Sequence, residues 1–421
     1  MKATQLLKRT VKLFFSSLLI IVISFILFLN FKLYYQPNFL PGKENSINAD
    51  LLKQLSFLKN ALHGGAATQM QQAYPEGFIF MQAAYGLSWA EVATAAEKNT
   101  ALYEEAHKEI EWANNAVQSN EGRDRFDKTL PLPYGAYYTG WSNYLLGKKL
   151  LTELPEERDS IEIIQFINTC KKIDSIIQTS VYPESYKNFS WPADVFVAVA
   201  SLSLHDKLFD PVFKQTIHQW LTKVKVNTDL NGFIPYAAAT NGTPVEIARG
   251  SSEGLILNFL LDMDTAFAKQ QFDLYKNKFL NHRFGLPGIR EFPKGNENTG
   301  DVDSGPVILN MGSAATIVGM RVLALYNDST NAIAVRNGIE AFGIPLTGDK
   351  EKKYLLGKWP MADVFIAWAH TVEINKTKKL HTAENWQWNF QLYSLVILLA
   401  IVIMLRLLLK KNKKANIVSA Y

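Results

Sequence analysis

The chain is 421 residues long, 48% of them hydrophobic, with a formal net charge of +5. Ten of its 44 Lys and Arg fall in residues 1–32 and 406–421, which contain no Asp or Glu, so the remaining chain carries 34 basic and 39 acidic residues. A nucleic-acid surface needs clustered positive charge, so this acidic middle region argues against a nucleic-acid partner. Cys170 is the only cysteine, which excludes a disulfide within the chain.

Two uncharged apolar segments, residues 13–31 and 386–405, lie near the two ends. Each is long enough for a helix that crosses the roughly 30 Å of a bilayer's hydrocarbon. The first is too long for the core of a signal peptide, and no small-x-small cleavage site follows it. We therefore predict two transmembrane helices, at 13–35 and 386–406, and the lipid bilayer as a partner.

The basic residues outside these segments predict the topology. Lys and Arg flanks stay cytoplasmic, so residues 1–12 and 407–421 are predicted to be cytoplasmic tails. The domain between them, residues 45–375, is then extracytoplasmic. Because this domain has no disulfide, we expect the cytoplasmic membrane of a bacterium.

The middle region has helical periodicity in twelve segments and little strand alternation. The segments alternate between amphipathic helices, rich in Lys, Glu and Gln, and helices rich in Ala, Gly, Ser and aromatic residues. A helix without a polar face is buried. The predicted buried helices are residues 76–96, 133–151, 192–206, 251–264, 304–326 and 361–373.

The loops before the buried helices recur at regular intervals. Their last residues are 58, 59, 60, 52 and 57 positions apart, from Gly77 to Asp363. Two loops also match in residues, "SWPADVFVAVA" and "KWPMADVFIAWA". Such a period indicates a repeat architecture. We predict an all-α fold, an (α/α)6 toroid of six helical hairpins flanked by the two transmembrane helices. In an open solenoid, the alternative, the last buried helix would need a polar face, which it lacks.

Acidic residues cluster where the buried helices begin. Capping of a helix start explains some of them, since an acid is favoured there, and Asp303 with Ser304 is predicted to cap the helix that follows. Glu253 lies in a first turn, four residues after Arg249, which could pair with it. Glu291 adjoins Arg290 and is expected to form a solvated loop pair. The candidate catalytic acids are Asp194, Glu253, Asp301 and Asp303.

Aromatic and basic residues occupy the same loops. Aromatic faces pack on the C–H patches of sugar rings, carboxylates bind hydroxyl groups, and arginine grips carboxylates with two donors. Glycoside cleavage uses two carboxylates, one protonated and one ionised. The candidate substrate-binding residues are Arg249, Trp191, Tyr236, Arg290, Trp359, Asp363 and Tyr138.

Other chemistries have weaker signals. The seven histidines form no close metal-binding pair, so neither a metal nor a cofactor is predicted. The oxygen-rich stretch 296–303 departs from EF-hand spacing, and calcium there is left open. The "GSSEG" stretch at 250–254 matches a nucleophile elbow, but no parallel sheet surrounds it.

With these helices and loops, the domain resembles the six-hairpin (α/α) toroid glycosidase-like superfamily. "ARGSSEGLIL" is similar to the Arg-Gly-x-x-x-Gly helix start of unsaturated glucuronyl hydrolases, and "WPADV" to their Trp-x-x-Asp loops. Linalool dehydratase/isomerase is another similar toroid, whose chemistry uses cysteines, whereas Cys170 lies in a predicted outer helix. The whole pattern looks most like uncharacterised membrane-anchored toroid proteins of bacteria.

The resemblance and the residues together predict a membrane-anchored, extracytoplasmic carbohydrate-active enzyme. The expected reaction is acid/base hydrolysis of an acidic or envelope-derived glycan. One alternative is a non-catalytic glycan-binding or envelope-assembly protein. A second is a terpenoid hydro-lyase or isomerase related to linalool dehydratase.

Overall fold

The structure, a computed structural model, describes residues 2–41, 46–301, 304–373 and 386–409. Within these residues the fold is mostly helical. The sixteen α-helices are α1 Lys2–Lys32, α2 Ala49–His63, α3 Ala66–Ala73, α4 Gly77–Ala95, α5 Ala101–Gln118, α6 Asn120–Arg123, α7 Gly135–Thr152, α8 Ser160–Thr179, α9 Pro192–Leu208, α10 Lys214–Val226, α11 Gly250–Leu260, α12 Thr265–Lys278, α13 Ser313–Leu325, α14 Ser329–Phe342, α15 Pro360–His370 and α16 Trp388–Leu409.

The strands are short and form four antiparallel pairs, and each pair lies within one connection between helices. The pairs are β1 Ala237–Ala238 with β2 Pro244–Glu246, β3 Leu280–Arg283 with β4 Leu286–Ile289, β5 Val307–Ile308 with β6 Met311–Gly312, and β7 Leu346–Thr347 with β8 Lys352–Lys353. The longest pair, β3–β4, runs in register from Leu280 opposite Ile289 to Arg283 opposite Leu286.

All twelve helices predicted in the middle region are present, and their alternation in character follows burial. In α4 every residue from Gly77 to Ala93 is buried, and in α9 every residue from Pro192 to His205. Close approach requires small residues here: a Cβ at Gly140 of α7 would lie 2.9 Å from the backbone nitrogen of Ala198 in α9. The amphipathic helices α2, α5, α8, α10 and α12 bury one face only, whereas α14 is buried on most sides, from Ala332 to Asn337 without a break.

The buried helices contact one another in chain order. α4 contacts α7, α7 contacts α9, α9 contacts α11, α11 contacts α13, α13 contacts α15, and α15 contacts α4. Aromatic side chains fill the space between them: the Trp141 ring lies 5.3 Å from Phe80, 5.8 Å from Phe259 and 6.1 Å from Trp368, centroid to centroid. A cluster of packed aromatic rings therefore lies among the buried helices.

The connections between helices differ in length at the two ends of the domain. From a buried helix to the next amphipathic helix they take three to seven residues, whereas most return connections take twelve or more. Short connections between packed helices make antiparallel hairpins, so the long loops share one end, the loop face. Hydrogen bonds join neighbouring loops there, from Ala136 N to Glu184 O (2.9 Å) and from Val181 N to Thr240 O (2.8 Å).

The start of α13 differs from the start predicted from the sequence. The predicted cap at Asp303 and Ser304 is wrong, because α13 begins at Ser313 with Gly312 as its N-cap. The hairpin β5–β6 intervenes, turning through Leu309 (φ +51°) and Asn310 (φ +68°). Ser304 instead closes the preceding loop, with its Oγ accepting from Asp301 N at 2.9 Å and donating to Asp301 O at 2.8 Å.

The helices α1 and α16 are long and apolar enough to cross a membrane, over residues 9–32 and 388–409. They contact each other, and Asn30 Nδ2 donates to Ser394 Oγ (2.9 Å) between them. Their domain-proximal ends pack on the rest of the protein through a small cluster of Leu29, Leu33, Leu286 and Ala341.

Candidate functional site

Arg249 is the centre of a charged group on the loop face. It is the N-cap of α11, in an extended conformation, and its guanidinium lies 3.7 Å from the centroid of the Tyr236 ring. The guanidinium pairs with Glu246 (3.0 Å) and with Asp301, which is 52 residues further along the chain. We call Arg249, Tyr236, Glu246, Phe292 and Asp301 the Arg249 group. The predicted pairing of Arg249 with Glu253 is wrong.

A cavity of about 360 Å³ opens beside this group. Arg249 is only 9% exposed, whereas the carboxylate side chains of Glu246 and Asp301 are 51% and 45% exposed. The cavity thus offers carboxyl acceptors at its rim, a guanidinium at its base and an aromatic face beside them. Its lining residues are Glu246, Ile247, Arg249, Phe292, Asn298, Thr299, Gly300 and Asp301.

Glu291 lies directly behind the wall of this cavity. Its side chain is fully buried, it accepts a hydrogen bond from Ser251 Oγ (2.7 Å), and its Oε2 atom has no partner among the described residues. Burial raises the pKa of this carboxyl to about 7, although Ser251 and Arg249 act in the opposite direction. The expectation of a solvated pair with Arg290 is therefore wrong, and Glu291 can hold a proton near neutral pH.

Close backbone packing brings Glu291 to this position. Gly250 N donates to Glu291 O (2.7 Å), and a Cβ at Gly250 would lie 2.0 Å from Arg290 O, so only glycine fits there. A Cβ at Gly312, the N-cap of α13, would lie 2.9 Å from Glu291 Oε2. The carboxyl is thus enclosed between the first turns of α11 and α13, where helix dipoles favour negative charge.

A second group of residues lies around the starts of α4, α7 and α9. We call Glu76, Tyr137, Tyr186, Trp191 and Asp194 the Tyr186 group. Tyr186 donates to Glu76 Oε1 (2.5 Å), and Tyr137 donates to Glu76 O (2.8 Å). Burial raises the pKa values of the two phenols, and the nearby carboxylates of Glu76 and Asp194 raise them further. The Trp191 ring lies edge-on to Tyr186 at 5.3 Å. Asp194 and Trp191 therefore share one cluster of tyrosines.

A backbone bridge connects the two groups. Ser190, which precedes Trp191, pairs with Ala238, and Ala238 N donates to Ser190 O (3.1 Å). Tyr236 leaves the same segment two residues earlier and covers Arg249. The structure thus brings Asp194, Trp191, Tyr236, Arg249 and Asp301 to one arc of the loop face.

Glu253 is placed away from the cavity. Glu253 is fully buried and does not line the cavity. Neither of its carboxyl oxygens has a hydrogen-bond partner among the described residues. Burial, with a smaller effect of Asp229, raises its pKa well above the usual value. Its charge would act on the phenols of Tyr182, Tyr275 and Tyr326. It is a buried carboxyl inside the wall of the domain, where its surroundings favour the protonated form.

The remaining candidate residues lie elsewhere or are engaged in the fold. Asp363 accepts from Tyr354 N (2.8 Å), and burial raises its pKa to about 7. Arg290 is 3% exposed and donates to Phe292 O and Asn296 O, bracing the loop that holds the cavity wall. Tyr138 donates to Val117 O (3.2 Å) beside a separate 160 Å³ cavity. Trp359 is 49% exposed in the loop before α15, and Asp303 lies outside the described residues.

The structure offers little for metal or thiol chemistry in the described residues. No three His, Cys, Asp or Glu side chains converge there as metal ligands would. Cys170 is buried in α8, and burial raises the pKa of its thiol to about 12. A thiol so protonated is a poor nucleophile.

Two residues of the site, Glu291 and Glu246, were not predicted from the sequence. One sequence signal could have indicated that Glu291 is buried: it directly follows "LPGIR", and the residues of this stretch that form β4 are all buried. No sequence signal indicated Glu246, because its place in the site depends on the side chain of Arg249 folding back to contact it, three residues earlier in the chain. No family model matches the chain, and no curated protein matches it significantly.

Proposed function

We propose that the cycle of contacts among the buried helices closes an (α/α)6 toroid, with α2, α5, α8, α10, α12 and α14 outside it. The support is the return contact of α15 with α4, which an open solenoid would not make. In this arrangement six helix starts surround the mouth of the domain.

The two apolar helices anchor this domain in the membrane. Basic residues flank them on the sides remote from the domain, which supports cytoplasmic termini and an extracytoplasmic domain. The hydrogen bond between Asn30 and Ser394 supports a paired arrangement of the helices, because a polar contact of this kind favours association in lipid.

The function that we propose is glycan hydrolysis by acid–base catalysis at the Arg249 group. One observation carries it: Glu291, a carboxyl with a pKa of about 7, directly precedes Phe292 of the lining of a cavity whose rim carries partly exposed carboxylates, and it accepts from Ser251, two residues after the lining residue Arg249. Such unequal environments for two carboxyl groups are typical of an acid and its partner base. The cavity suits a hydroxyl-rich ring, which carboxylates and Arg249 can bind and Phe292 can cover.

The proton leaves Glu291 through Ser251. When Glu291 is ionised, Ser251 Oγ donates to it. When Glu291 is protonated, this bond reverses, and the hydroxyl hydrogen of Ser251 turns outward to the leaving-group oxygen of the glycosidic bond. Asp301, held by Arg249, acts as the ionised partner that accepts a proton from the attacking water.

The test is turnover of envelope-derived and acidic oligosaccharides by the full-length protein, followed by release of reducing ends. Removing a general acid or base lowers a rate by about 10²–10⁴-fold, and we expect losses of that order for Glu291→Gln and Asp301→Asn. Ser251→Ala should lower the rate less, because a water molecule can replace the hydroxyl.

Glu253→Gln is the matched control, since Glu253 is likewise a fully buried acid, in the first turn of α11, but lies outside the cavity. It should keep turnover near that of the unaltered protein. If no glycan is cleaved, or if Glu291→Gln cleaves as fast as Glu253→Gln, the proposed reaction is wrong.

A non-catalytic glycan-binding function is the second candidate, and the pairing of Arg249 favours it. Both partner carboxylates, Glu246 and Asp301, already contact the guanidinium. Binding without turnover, retained in Glu291→Gln and lost in Arg249→Met, would identify this function. The terpenoid alternative gains no support from the buried Cys170.

A further inference from the structure

Five bulky apolar residues occupy left-handed backbone positions and expose their side chains. The φ angles lie between +47° and +58°, and the side chains are 39–60% exposed. These residues are Phe284, Leu309, Ile344, Leu355 and Leu356.

Local energetics disfavour this choice of residues. The left-handed region suits glycine and asparagine, whereas a bulky or β-branched side chain is strained there. The same chain uses asparagine at four such positions, Asn99, Asn188, Asn310 and Asn327. An exposed apolar residue gains nothing from water either, so neither the backbone nor the solvent explains these five.

All five lie in the long connections of the loop face. Phe284 is at the tip of β3–β4, and Leu309 is at the tip of β5–β6. The tips are joined, because Arg283 Nε donates to Leu309 O (3.0 Å). The other segment is joined in the same way, by a hydrogen bond from Leu355 N to Gly343 O (2.7 Å).

The distribution of exposed apolar side chains is one-sided. Residues 46–373 expose 17 large apolar side chains in the described part, and 13 of them belong to the long loops or to the last helical residue before one. The other four, Leu151, Ile161, Ile164 and Val212, lie at or near the opposite end. Exposed apolar side chains that gather on one side of a domain are typical of an interaction site.

The same loops adjoin the first turns of α16. The Phe284 ring lies 6.2 Å from the Tyr393 ring, and the Phe342 ring lies 6.2 Å from the Phe390 ring. At a rise of about 1.5 Å per residue, Tyr393 is roughly 7–8 Å along α16 from its start at Trp388. Phe284 is therefore level with a residue inside the apolar span.

We propose that Phe284, Ile308, Leu309, Phe342, Ile344, Leu355 and Leu356 form an apolar collar that enters the outer layer of the bilayer crossed by α1 and α16. Continuity with α16 assigns lipid as the occupant. The loop face, and with it the mouth of the Arg249 cavity, is turned towards the membrane surface.

The orientation assigns a class of substrate, and this part rests on the proposed function. Asp301 at the cavity and Ile308 in the collar are seven residues apart, which limits their separation to about 24 Å. The cavity is therefore close to the lipid headgroups. It takes the sugar portion of a membrane-borne glycolipid in preference to a free oligosaccharide.

The orientation is tested by fluorescence quenching on the full-length protein in lipid nanodiscs. A fluorophore is placed on Leu309→Cys and, as the matched control, on the similarly exposed Val212→Cys at the opposite end. Cys170 is fully buried and stays unlabelled. Lipids carrying a nitroxide high on the acyl chain should quench the label at 309 several-fold more than the label at 212.

Equal quenching at the two positions, with iodide reaching the label at 309 freely, would overturn the collar. Efficient disulfide formation between two Leu309→Cys chains, in place of quenching by lipid, would assign the surface to a second copy and would also overturn it.

The substrate class is tested with Phe284→Asn and Leu309→Asn, which suit the left-handed backbone and so preserve both turns. Turnover of a lipid-linked glycan should fall about tenfold or more, as expected when large apolar groups leave the membrane, while turnover of its soluble headgroup is unchanged. Equal loss on both substrates, or no loss on either, would overturn the assignment. If the unaltered protein cleaves neither substrate, the proposed reaction and the substrate class fail together, and quenching still decides the collar.

Discussion

Two regions of the molecule use the same arrangement of charges, a cation between two carboxylates and above a tyrosine ring. Arg249 lies between Glu246 and Asp301, 3.7 Å from the Tyr236 ring centroid. Lys352 pairs with Glu340 (2.6 Å) and Asp50 (3.1 Å), and its ammonium is 4.4 Å from the Tyr35 ring centroid.

The two arrangements differ in exposure. Lys352 and Glu340 are each 1% exposed in their side chains, and Tyr354 and Tyr35 donate to the carboxylates of Glu340 and Asp50. The carboxylates around Arg249 are about half exposed and border a cavity. The Lys352 arrangement holds β8, α14, α2 and the segment after α1 together. The acceptors of the Arg249 arrangement remain accessible, so similar charges are enclosed in one place and open to a cavity in the other.

The largest expected effect is on stability at the buried arrangement. Lys352→Met leaves Glu340 as an uncompensated buried charge, and breaking a buried pair in this way costs about 3–5 kcal/mol. Thermal unfolding of the detergent-solubilised protein, followed by tryptophan fluorescence, measures the loss. The double variant Lys352→Met/Glu340→Gln should recover part of it, and a loss that is equal in the single and double variants would contradict the structural role.

At Arg249 we expect the opposite balance. Arg249→Met leaves two carboxylates that water can still reach, so the free energy of unfolding should fall by only about 1 kcal/mol. Glycan binding or turnover should fall about 10–100-fold, because charge-assisted hydrogen bonds are lost. Isothermal titration and the turnover assay measure this. A stability loss as large as that of Lys352→Met would remove the contrast between the regions.

Glu253 sharpens the comparison, since it is a buried acid with no cation. Its pKa is higher in the folded than in the unfolded chain, so the folded state holds the proton more tightly. Stability should be unaffected below the unfolded pKa of about 4.3 and should fall by up to about 1.4 kcal/mol per unit as pH rises from there towards the folded pKa. Glu253→Met should reduce this slope without abolishing it, because Glu291 and Asp363, whose pKa values are raised to about 7, contribute in the same direction. Glu104→Met, at an exposed position, should leave the slope unchanged. Unfolding measured from pH 4 to 8 tests this.

The smallest expected effect concerns the apolar helix pair. Asn30→Leu removes the hydrogen bond to Ser394, and such bonds between membrane helices contribute about 0.6 kcal/mol. Thermal unfolding should change by no more than this, and Ser394→Ala should match it. A loss several times larger would indicate that the pair has a greater part in holding the domain together.

Most helices of the domain could be predicted from the sequence because their signals are local. Each of the twelve segments carries its own period and its own break, and the small, apolar composition of α4 and α9 indicated burial directly. The hairpin β5–β6 could not be predicted, since Leu309 gives no sign of a left-handed turn. The extended stretch was therefore added to α13.

The site was less predictable because its chemistry depends on packing between distant segments. Asp301 and Arg249 were both candidates, yet their pairing across 52 residues follows only from the arrangement of α11 and α13. Glu291 appears solvated in "GIREF", and it becomes a buried acid only because Gly250 and Gly312 admit it between two helix starts. The residue types of the site could therefore be predicted from the sequence, whereas the buried acid Glu291, the proton donor that we propose, could not.

The most direct test of the account is the pH dependence of glycan turnover by the full-length protein. Because the pKa of Glu291 is about 7, kcat/KM should fall about tenfold per pH unit above pH 7. In Glu291→Gln the remaining rate should be about 10²–10⁴-fold lower and should lose this decline. A decline near pH 7 that persists in Glu291→Gln would contradict the assignment of Glu291 as the proton donor.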